Sequence, residues 1–224
     1  MIFMVHGKAK SGKDTVANYI VGKVGAEKVW FAKPLKDMVK KHFKQTHDEV
    51  YEKKTKYSRM LLQTVGEMMR DEVNKCFWVH KVIAEIEQRL LSGSEHVVIS
   101  DCRYKNEIIE PLAAFNILKM VSAVHVNFTN DEWIDYQKKY YGEENVDSIS
   151  IRSAISPEAE MYSPCITIKV DRDGCPDIEC GSSHSSENDL NGFKFDVVIE
   201  NNSTLEELYK KVDVLLLSLN LFRV

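Results

Sequence analysis

A run of glycine and lysine residues near the start of the chain has the composition of a phosphate-binding turn. It reads Gly7-Lys8-Ala9-Lys10-Ser11-Gly12-Lys13-Asp14-Thr15, after the apolar residues 2–5 and before the apolar-periodic residues 16–20. A Gly-rich turn between a strand and a helix directs several backbone N–H groups at one point, where they bind phosphate oxygens. Lys13 would reach the outer phosphates as a cation, and Lys10 would add a second positive charge. The order of strand, turn and helix therefore predicts a polyphosphate site.

One position departs from the usual pattern of this turn, G-x-x-x-x-G-K-[ST]. Asp14 stands where Ser or Thr normally offers a hydroxyl group to Mg²⁺. A carboxylate is a hard oxygen ligand that also suits Mg²⁺, directly or through a water molecule. A negative charge is also favourable in the first turn of a helix. The alternative is a chance Gly/Lys-rich turn capped by an aspartate, but the strand before it and the helix after it favour the phosphate site.

A second carboxylate follows another apolar segment. Asp101 comes directly after Val97-Val98-Ile99-Ser100, a run typical of a buried parallel strand, and Arg103 is two residues further on. Ligands of parallel sheets bind at the carboxyl ends of the strands. Asp101 could hold a Mg²⁺-bound water there, and Arg103 could bind a phosphate through two parallel hydrogen bonds. The alternative is an aspartate that caps the next helix, with Arg103 as its ion-pair partner.

A helix after the lysine-rich residues 33–56 carries candidates for binding a phosphorylated acceptor. Arg59 and Gln63 are four residues apart and share a face of that helix, and Arg70 follows them. Ordinary surface arginines are the alternative. Acidic residues are mixed with the lysines of 33–56, so that segment is interpreted as a solvated face. Arg152, in a polar region, is a candidate cation of a mobile lid that excludes water.

Composition excludes several classes of protein. The 224 residues are 44% hydrophobic and 29% charged, which is typical of one soluble globular domain, and the net charge of −4 gives no general attraction to nucleic acid. No apolar run reaches transmembrane length, and the chain opens on a strand rather than a signal peptide. We therefore expect a cytoplasmic protein with reduced cysteines. A zinc site at Cys165, Cys175, Cys180 and His184 is disfavoured, because the spacing matches no common zinc pattern.

Periodicity predicts an α/β fold with a mainly parallel sheet. Five strands are predicted at residues 2–6, 29–31, 97–101, 123–128 and 195–200, separated by helices. A hairpin is predicted from 166–170 and 177–180, around the turn 171–174. The helix predicted at 106–114 is expected to be irregular at Pro111. Residues 203–206 read as a capping box for the last helix.

With these residues in place, the chain resembles the deoxynucleoside monophosphate kinases of bacteriophages. The resemblance is carried in order by the following segments: residues 10–15 (KSGKDT), 31–37 (FAKPLKD), 61–66 (LLQ followed by Gly66), 77–79 (FWV), 100–103 (SDCR), 184–187 (HSSE), 196–199 (DVVI) and 203–208 (S-x-LEEL). The S-G-K-D-T form is the most specific, since it shares that family's Asp in place of Ser or Thr.

That resemblance implies transfer of the ATP γ-phosphoryl group to a deoxynucleoside 5′-monophosphate, with Mg²⁺. It implies a P-loop kinase fold, in which helices cover both faces of a mainly parallel five-stranded sheet and so form three layers (α, β, α). It also implies a single domain over residues 1–224. A monophosphate-binding helical region is expected at about 33–92 and a lid-like insertion at about 129–194. Lys33 stands where the family has a glycine, and the segment between Phe128 and Phe195 is longer than the family pattern.

The motifs and the resemblance together predict roles for particular residues. The expected catalytic residues are Lys13, Lys10, Asp14, Asp101 and Arg103, and the expected metal ligands are Asp14 and Asp101. ATP is expected to contact Gly7, Lys8, Ala9, Lys10, Ser11, Gly12, Lys13, Asp14, Thr15, Arg152, Asn201 and Asn202. The acceptor is expected to contact Lys33, Arg59, Gln63, Arg70 and Arg103.

Two other functions fit the same motifs. Animal-type phosphomevalonate kinases share S-G-K-D, the P-L-K turn, the strand-end Asp-x-Arg and a segment like 196–201, and they also transfer a phosphoryl group to a phosphate. A non-catalytic phosphate-loop module is the third possibility, which intact Lys13, Asp14 and Asp101 disfavour. The sequence leaves open which base is accepted, whether deoxyribose is preferred and whether the chain forms a homodimer.

Overall fold

A five-stranded sheet forms the centre of the protein. The computed structural model describes residues 1–123, 165–175 and 189–221. The strands are β1 (Ile2–His6), β2 (Glu27–Val29), β3 (Val97–Ile99), β4 (Cys165–Asp171) and β5 (Val197–Glu200). They pair in the order β2-β3-β1-β4-β5, and every pairing is parallel. The predicted α/β fold with a five-stranded parallel sheet is confirmed.

Six α-helices accompany the sheet in the described part of the chain. They are α1 (Lys13–Val24), α2 (Ala32–His42), α3 (Lys56–Met68), α4 (Phe77–Leu91), α5 (Lys105–Ala123) and α6 (Leu205–Ser218). Single π-helical turns at Asp48–Glu52 and Met69–Val73 flank α3. None of the helices in these ranges combines the length and apolarity that a membrane crossing requires.

The alternation of side chains along β1 produces the layers. Ile2 and Met4 are buried on one face of the sheet with the apolar residues of α4 and α5, including Ile86 and Phe115. Phe3 and Val5 are buried on the other face, against α1 and α6. Successive strand residues point to opposite faces, so a strand that is apolar throughout must be covered on both sides. The predicted three-layer arrangement is therefore confirmed.

The helical region between β2 and β3 has a small core of its own. Val39 of α2, Leu61 and Val65 of α3 and Trp78 of α4 are buried together. The Trp78 indole N–H donates to the Gly66 carbonyl at 3.2 Å, so the close packing of α3 on α4 also satisfies a buried donor. This cluster gives residues 33–92, predicted as the monophosphate-binding region, a common framework.

The predicted hairpin is wrong at its first strand. Residues 165–171 form β4, which pairs in parallel with β1 on one side and β5 on the other. A strand with both edges occupied cannot also pair with a hairpin partner. These seven residues lie inside the range 129–194 predicted as a lid-like insertion, yet they belong to the central sheet. The rest of that insertion stays a prediction, and residues 177–180 lie outside the described residues.

Helix α5 is longer than predicted. It continues through Pro111 to Ala123, whereas a helix over 106–114 and a strand over 123–128 were expected. Proline in a helix removes one hydrogen bond and costs about 3 kcal/mol. Ile108 and Phe115 are fully buried on either side of it, and their contact with the sheet outweighs that cost. Residues 124–128 lie outside the described part of the chain.

The N-terminus of α6 is capped one residue later than predicted. The Thr204 hydroxyl, rather than that of Ser203, accepts the N–H of Glu207, with the backbone of Thr204 extended. The pattern is still threonine followed three residues later by glutamate. The helix begins at Leu205, so the N-cap is the residue directly before it, Thr204.

Two valines of α6 provide a matched test of the core. Val212 is fully buried against the sheet, whereas Val214 is 66% exposed on the same helix. We expect Val212→Ala to lower the free energy of unfolding by about 2 kcal/mol, because buried methyl groups are lost. Val214→Ala should change it by less than about 0.5 kcal/mol. Urea unfolding followed by circular dichroism measures both, and equal effects would contradict the assigned orientation of α6.

Candidate active site

The predicted phosphate turn joins the carboxyl end of the central strand β1 to α1. Residues 7–12 make the connection, and Lys13 begins the helix. Lys10 has φ +65° and Gly12 has φ +96°, so the chain turns sharply through the left-handed region at two points. Only glycine adopts such a backbone conformation at little cost. Gly12 therefore suits its position, and the turn lies at the edge of the sheet formed by the carboxyl ends of the strands.

Both glycines of the motif are required by close packing. A Cβ atom on Gly7 would lie 2.3 Å from Ser11 Oγ and 2.7 Å from the Val170 carbonyl oxygen. On Gly12, a Cβ would lie 2.4 Å from Asn201 Nδ2. Carbon atoms do not approach neighbours so closely, so any larger residue would displace the turn. The spacing of the two glycines therefore reflects packing below the turn as well as freedom of φ.

Asn201 attaches the turn to the far strands of the sheet. Its side-chain amide donates to the Ser11 carbonyl at 2.8 Å, and its backbone N–H donates to the Asp171 carbonyl at 2.7 Å. Asn202 exchanges hydrogen bonds with Asp173, in the turn after β4. Asn201 and Asn202 thus lie at the carboxyl ends of β4 and β5, with Asn201 directly below the turn. Their predicted contact with ATP stays a prediction.

The first turn of α1 has donors for an anion. Gly12 is the N-cap and has no side chain that could cap the helix. The N–H groups of Lys13, Asp14 and Thr15 have no acceptor within the helix, since the first turn of any α-helix lacks one. The hydroxyl of Ser11 is also buried without a hydrogen-bond partner among the described residues. These donors and the positive end of the helix fit bound phosphate oxygens.

The Asp14 carboxylate is accessible and lies among polar groups. Its side chain is 63% exposed, and the buried Ser100 hydroxyl donates to Oδ1 at 3.1 Å. The ammonium of Lys28 lies 3.6 Å from Oδ1, and that of Lys13 lies 3.9 Å from Oδ2. An exposed anionic oxygen beside a hydroxyl is a donor set that fits Mg²⁺. Ser100 and Lys28 were not predicted, although the position of Ser100 at the end of a strand was a usable signal.

Asp101 makes a helix cap. Its two carboxylate oxygens accept the backbone N–H groups of Phe31 and Ala32, each at 2.9 Å. This is the capping role that the sequence left open, but the helix concerned is α2 and not the helix that follows Asp101. Burial raises the pKa of Asp101, while the two N–H bonds act in the opposite direction. Its predicted part in binding a metal stays a prediction.

Glu107 is a second buried carboxyl group that sequence reasoning missed. Its Oε2 accepts the N–H groups of Arg103 and Tyr104, at 2.6 and 3.1 Å, so it caps α5 from within the helix. Burial, together with the charge of Asp101, raises the pKa of Glu107 to about 8. The raised pKa favours the protonated form of Glu107. Holding a proton there limits negative charge at the edge where phosphate is predicted to bind.

Lys54 lies close enough to three other cations for their charges to act on it. The pKa of Lys54 is lowered by burial and by the positive charges of Lys36, Arg103 and Arg59. Asp101 is itself influenced by the charges of Arg103 and Lys36. The four residues come from four separate segments: α2, the loop before α3, α3 and the loop after β3. We call Lys36, Lys54, Arg59 and Arg103 the cation cluster.

The cation cluster agrees only in part with the sequence prediction. Arg59 and Arg103 were predicted as acceptor ligands, whereas Lys36 and Lys54 were assigned to a solvated face. Lys36 follows the P-L turn directly, and its ammonium lies 4.7 Å from the centre of the Tyr51 ring. No periodic pattern in the sequence points to Lys54, because it lies in a loop.

Other predicted acceptor ligands have different surroundings. Lys33 forms ion pairs with Asp37 and Glu85, at 3.2 and 3.9 Å. The Arg70 guanidinium stacks 4.8 Å from the centre of the Tyr104 ring. Gln63 is exposed on α3. Arg152 lies outside the described residues, and its role as a lid cation stays a prediction.

The part of the chain that contains the predicted phosphate turn is similar to a known protein family. Residues 1–58 match the family model described as deoxynucleotide monophosphate kinase. A protein of Acanthamoeba polyphaga mimivirus, named "Putative deoxynucleotide monophosphate kinase", is 27% identical over 233 residues, which cover 95% of this chain and 93% of that protein. The resemblance predicted from the sequence is confirmed. The matched segment contains the whole predicted phosphate turn, including Asp14, and the residues Pro34-Leu35-Lys36 at the start of α2.

A solved structure is also similar to this chain. It is described as a "putative kinase" from Chloroflexus aurantiacus, is 11% identical, and covers 98% of this chain and 95% of its own, with a TM-score of 0.39. The assignment of the fold rests on the strand order and the layers described above.

Two glycines separated by ten positions test the geometry of the turn. Gly12→Ala would place a Cβ against Asn201 at a left-handed φ, whereas a Cβ on Gly22, inside α1, meets nothing within 4 Å. We expect Gly12→Ala to abolish measurable ATP binding in calorimetry. Gly22→Ala should bind ATP normally. Its free energy of unfolding should rise by about 0.5–1 kcal/mol, because alanine favours a helix.

Circular dichroism of Gly12→Ala shows whether the variant remains folded. A folded Gly12→Ala protein that binds ATP as tightly as the wild type would contradict the assignment of this turn as the phosphate site.

Proposed function

We propose that this chain is an ATP-dependent kinase that phosphorylates a deoxynucleoside 5′-monophosphate to the diphosphate. One observation carries the proposal: the phosphate turn at the end of β1 and the cation cluster lie at the same edge of one parallel sheet. A donor polyphosphate and an acceptor phosphate would therefore meet there. The family match over residues 1–58 supports this activity.

The turn would bind the donor. Its backbone N–H groups and those of the first turn of α1 would contact the β- and γ-phosphates of ATP, with Lys13 and Lys10 as cations. Asp14 would hold Mg²⁺, with Asp101 as the second predicted ligand. Bound there, Mg²⁺ would neutralise charge on the β- and γ-phosphates. Asn201 keeps the Ser11 carbonyl turned away from the phosphates, because that oxygen accepts its amide N–H.

The cation cluster would bind the acceptor phosphate. Four positive charges close enough to depress the pKa of Lys54 repel one another, and a phosphate dianion would relieve that repulsion. Backbone N–H groups donate to Asp101, and the raised pKa of Glu107 favours its uncharged form, so both features reduce the negative character of this edge. The electrostatics of the edge therefore suit an anion.

Transfer then needs positioning and charge neutralisation. An oxygen of the acceptor phosphate attacks the γ-phosphorus, the bond from that phosphorus to the β–γ bridging oxygen breaks, and ADP leaves with the bonding electron pair. The attacking oxygen already carries negative charge, so no general base is needed. Lys13 and Lys10 would stabilise the charge on the transferred group. A cytoplasmic location, where ATP is abundant, agrees with this activity.

A panel of candidate acceptors tests which phosphorylated compound receives the phosphoryl group. ADP formation would be measured with each deoxynucleoside monophosphate, each ribonucleoside monophosphate, phosphomevalonate and water as acceptors. We expect at least one deoxynucleoside monophosphate to be the best acceptor. Preference for phosphomevalonate would instead establish the alternative kinase activity, and ADP release that no acceptor stimulates would indicate a nucleotide-binding module.

Lys13→Ala should lower kcat about 100-fold or more, because a cation that contacts the transferred phosphoryl group is lost. The matched control is Lys210→Ala, whose side chain is 70% exposed on α6. The control should leave kcat unchanged, and both variants should show the thermal stability of the wild type. Near-normal turnover by a folded Lys13→Ala protein would contradict the proposed role of the phosphate turn.

Lys54→Ala and Arg59→Ala test the cation cluster separately. We expect each to raise the KM for the acceptor about tenfold or more while changing the KM for ATP little, since a charge-assisted hydrogen bond to the acceptor phosphate is lost. Lys41→Ala, on an exposed position of α2, is the control that should change neither value. A selective rise in the KM for ATP would show that the cluster binds the donor instead.

A further inference from the structure

Three side chains of metal-binding types meet where α4 packs against α5. They are Cys76, His80 and Glu110, and their sulfur, nitrogen and oxygen atoms all lie within 4.8 Å of one another. Cys76 is the N-cap of α4, and His80 follows it one turn later on the same face. Glu110 projects from α5. None of the three belongs to the phosphate turn or to the cation cluster.

We propose that Cys76, His80 and Glu110 bind a zinc-type transition-metal ion, with water as the fourth ligand. Sulfur, imidazole nitrogen and carboxylate oxygen together favour Zn²⁺ over Mg²⁺, which prefers oxygen ligands alone. The site is separate from the one disfavoured above, which involved three other cysteines and His184. In that group, Cys165 belongs to strand β4 of the sheet.

The geometry needs only a small contraction to bind such an ion. Zinc–ligand bonds of about 2.0–2.3 Å in a tetrahedron place neighbouring ligand atoms about 3.3–3.8 Å apart. His80 Nε2 lies 3.9 Å from Glu110 Oε2, close to that range. The remaining separations are at most 4.8 Å, so binding would shorten them by up to about 1–1.5 Å.

A buried atom without a partner points to a missing ligand. Glu110 Oε1 has no hydrogen-bond partner among the described residues, although it is buried. The Glu110 side chain is 11% exposed, and Cys76 is 2% exposed. An isolated buried carboxylate oxygen is costly, because it loses its hydration and gains no bond. The other oxygen, Oε2, faces His80, so a cation bound by both oxygens of the carboxylate would satisfy Oε1.

Charge and access agree with a divalent cation. A thiolate and a carboxylate supply two negative charges, which balance those of Zn²⁺, and neutral His80 adds none. The Asn106 amide lies 3.6 Å from Cys76 Sγ and donates to the Lys75 carbonyl at 3.0 Å, so it orients the sulfur. The His80 side chain is 39% exposed, which gives an ion a route from solvent. A bound ion would join the N-terminus of α4 to α5.

Cobalt binding tests the site in the full-length protein without nucleotide. Co²⁺ is added to chelator-treated protein, and the ultraviolet charge-transfer band of a cobalt–thiolate bond is recorded. We expect one Co²⁺ per chain, with a band that Zn²⁺ abolishes by displacement. Cys76→Ser should lose the band, and His80→Asn and Glu110→Gln should each weaken binding about tenfold or more. Cys175→Ser, outside the cluster, is the matched control and should behave as the wild type.

Folding of every variant is checked by circular dichroism without metal. If Cys76→Ser unfolds, His80→Asn still tests the site, because His80 is partly exposed. The absence of a thiolate band in the wild type would overturn the proposal. A band that persists in Cys76→Ser, or binding unchanged in both His80→Asn and Glu110→Gln, would overturn it as well. Because the measurement is of metal binding, its result is independent of whether the chain is a nucleotide kinase.

Discussion

The hydrogen bond from the Asn201 side chain to the Ser11 carbonyl is the contact on which the candidate active site depends. It joins a turn near the start of the chain to residues about 190 positions later, and it is buried. Gly12 lies so close to this amide that no Cβ fits between them. The bond forms only when β4 and β5 lie beside β1, since Asn201 is itself held by the carbonyl of Asp171 at the end of β4. The shape of the phosphate turn is therefore a property of the assembled sheet. The motif supplies the flexibility that the turn requires, and the neighbouring strands select one conformation.

The partly buried Asp101 and the buried Glu107 have a structural role that also influences the electrostatics of this edge. Asp101 caps α2 and Glu107 caps α5, so each satisfies backbone N–H groups that a helix leaves unpaired at its N-terminus. Burial raises the pKa of each group, and the charge of Asp101 raises that of Glu107 further. The raised pKa values favour the uncharged forms, and the backbone N–H donors offset part of any negative charge that remains. The same pair of side chains thus caps two helices and, under the proposed function, would limit the repulsion of a bound phosphate.

Much of the fold could be predicted because the relevant signals are local. An apolar run, two glycines and a lysine at fixed spacing indicate β1, the turn and α1, and the structure has α1 at Lys13–Val24, directly after that turn. Strand β4 was misread as half of a hairpin, because the polar turn after it resembles a hairpin turn and its partners are distant in sequence. Helix α5 was predicted to be irregular at Pro111 and to end at residue 114, since the burial of Ile108 and Phe115 against the sheet cannot be inferred from a proline in isolation. In both cases tertiary packing outweighed a local preference.

By itself, the sequence determined the phosphate turn, the strand-end aspartate and the kinase resemblance, because each depends on residues that are neighbours along the chain. Only the tertiary structure decided which helix Asp101 caps, that Lys36 and Lys54 join Arg59 and Arg103, and that Cys76 and His80 face Glu110. These groupings bring together residues from separate helices and loops. The order of strands in the sheet sets their distances, and no spacing within a single segment encodes that order.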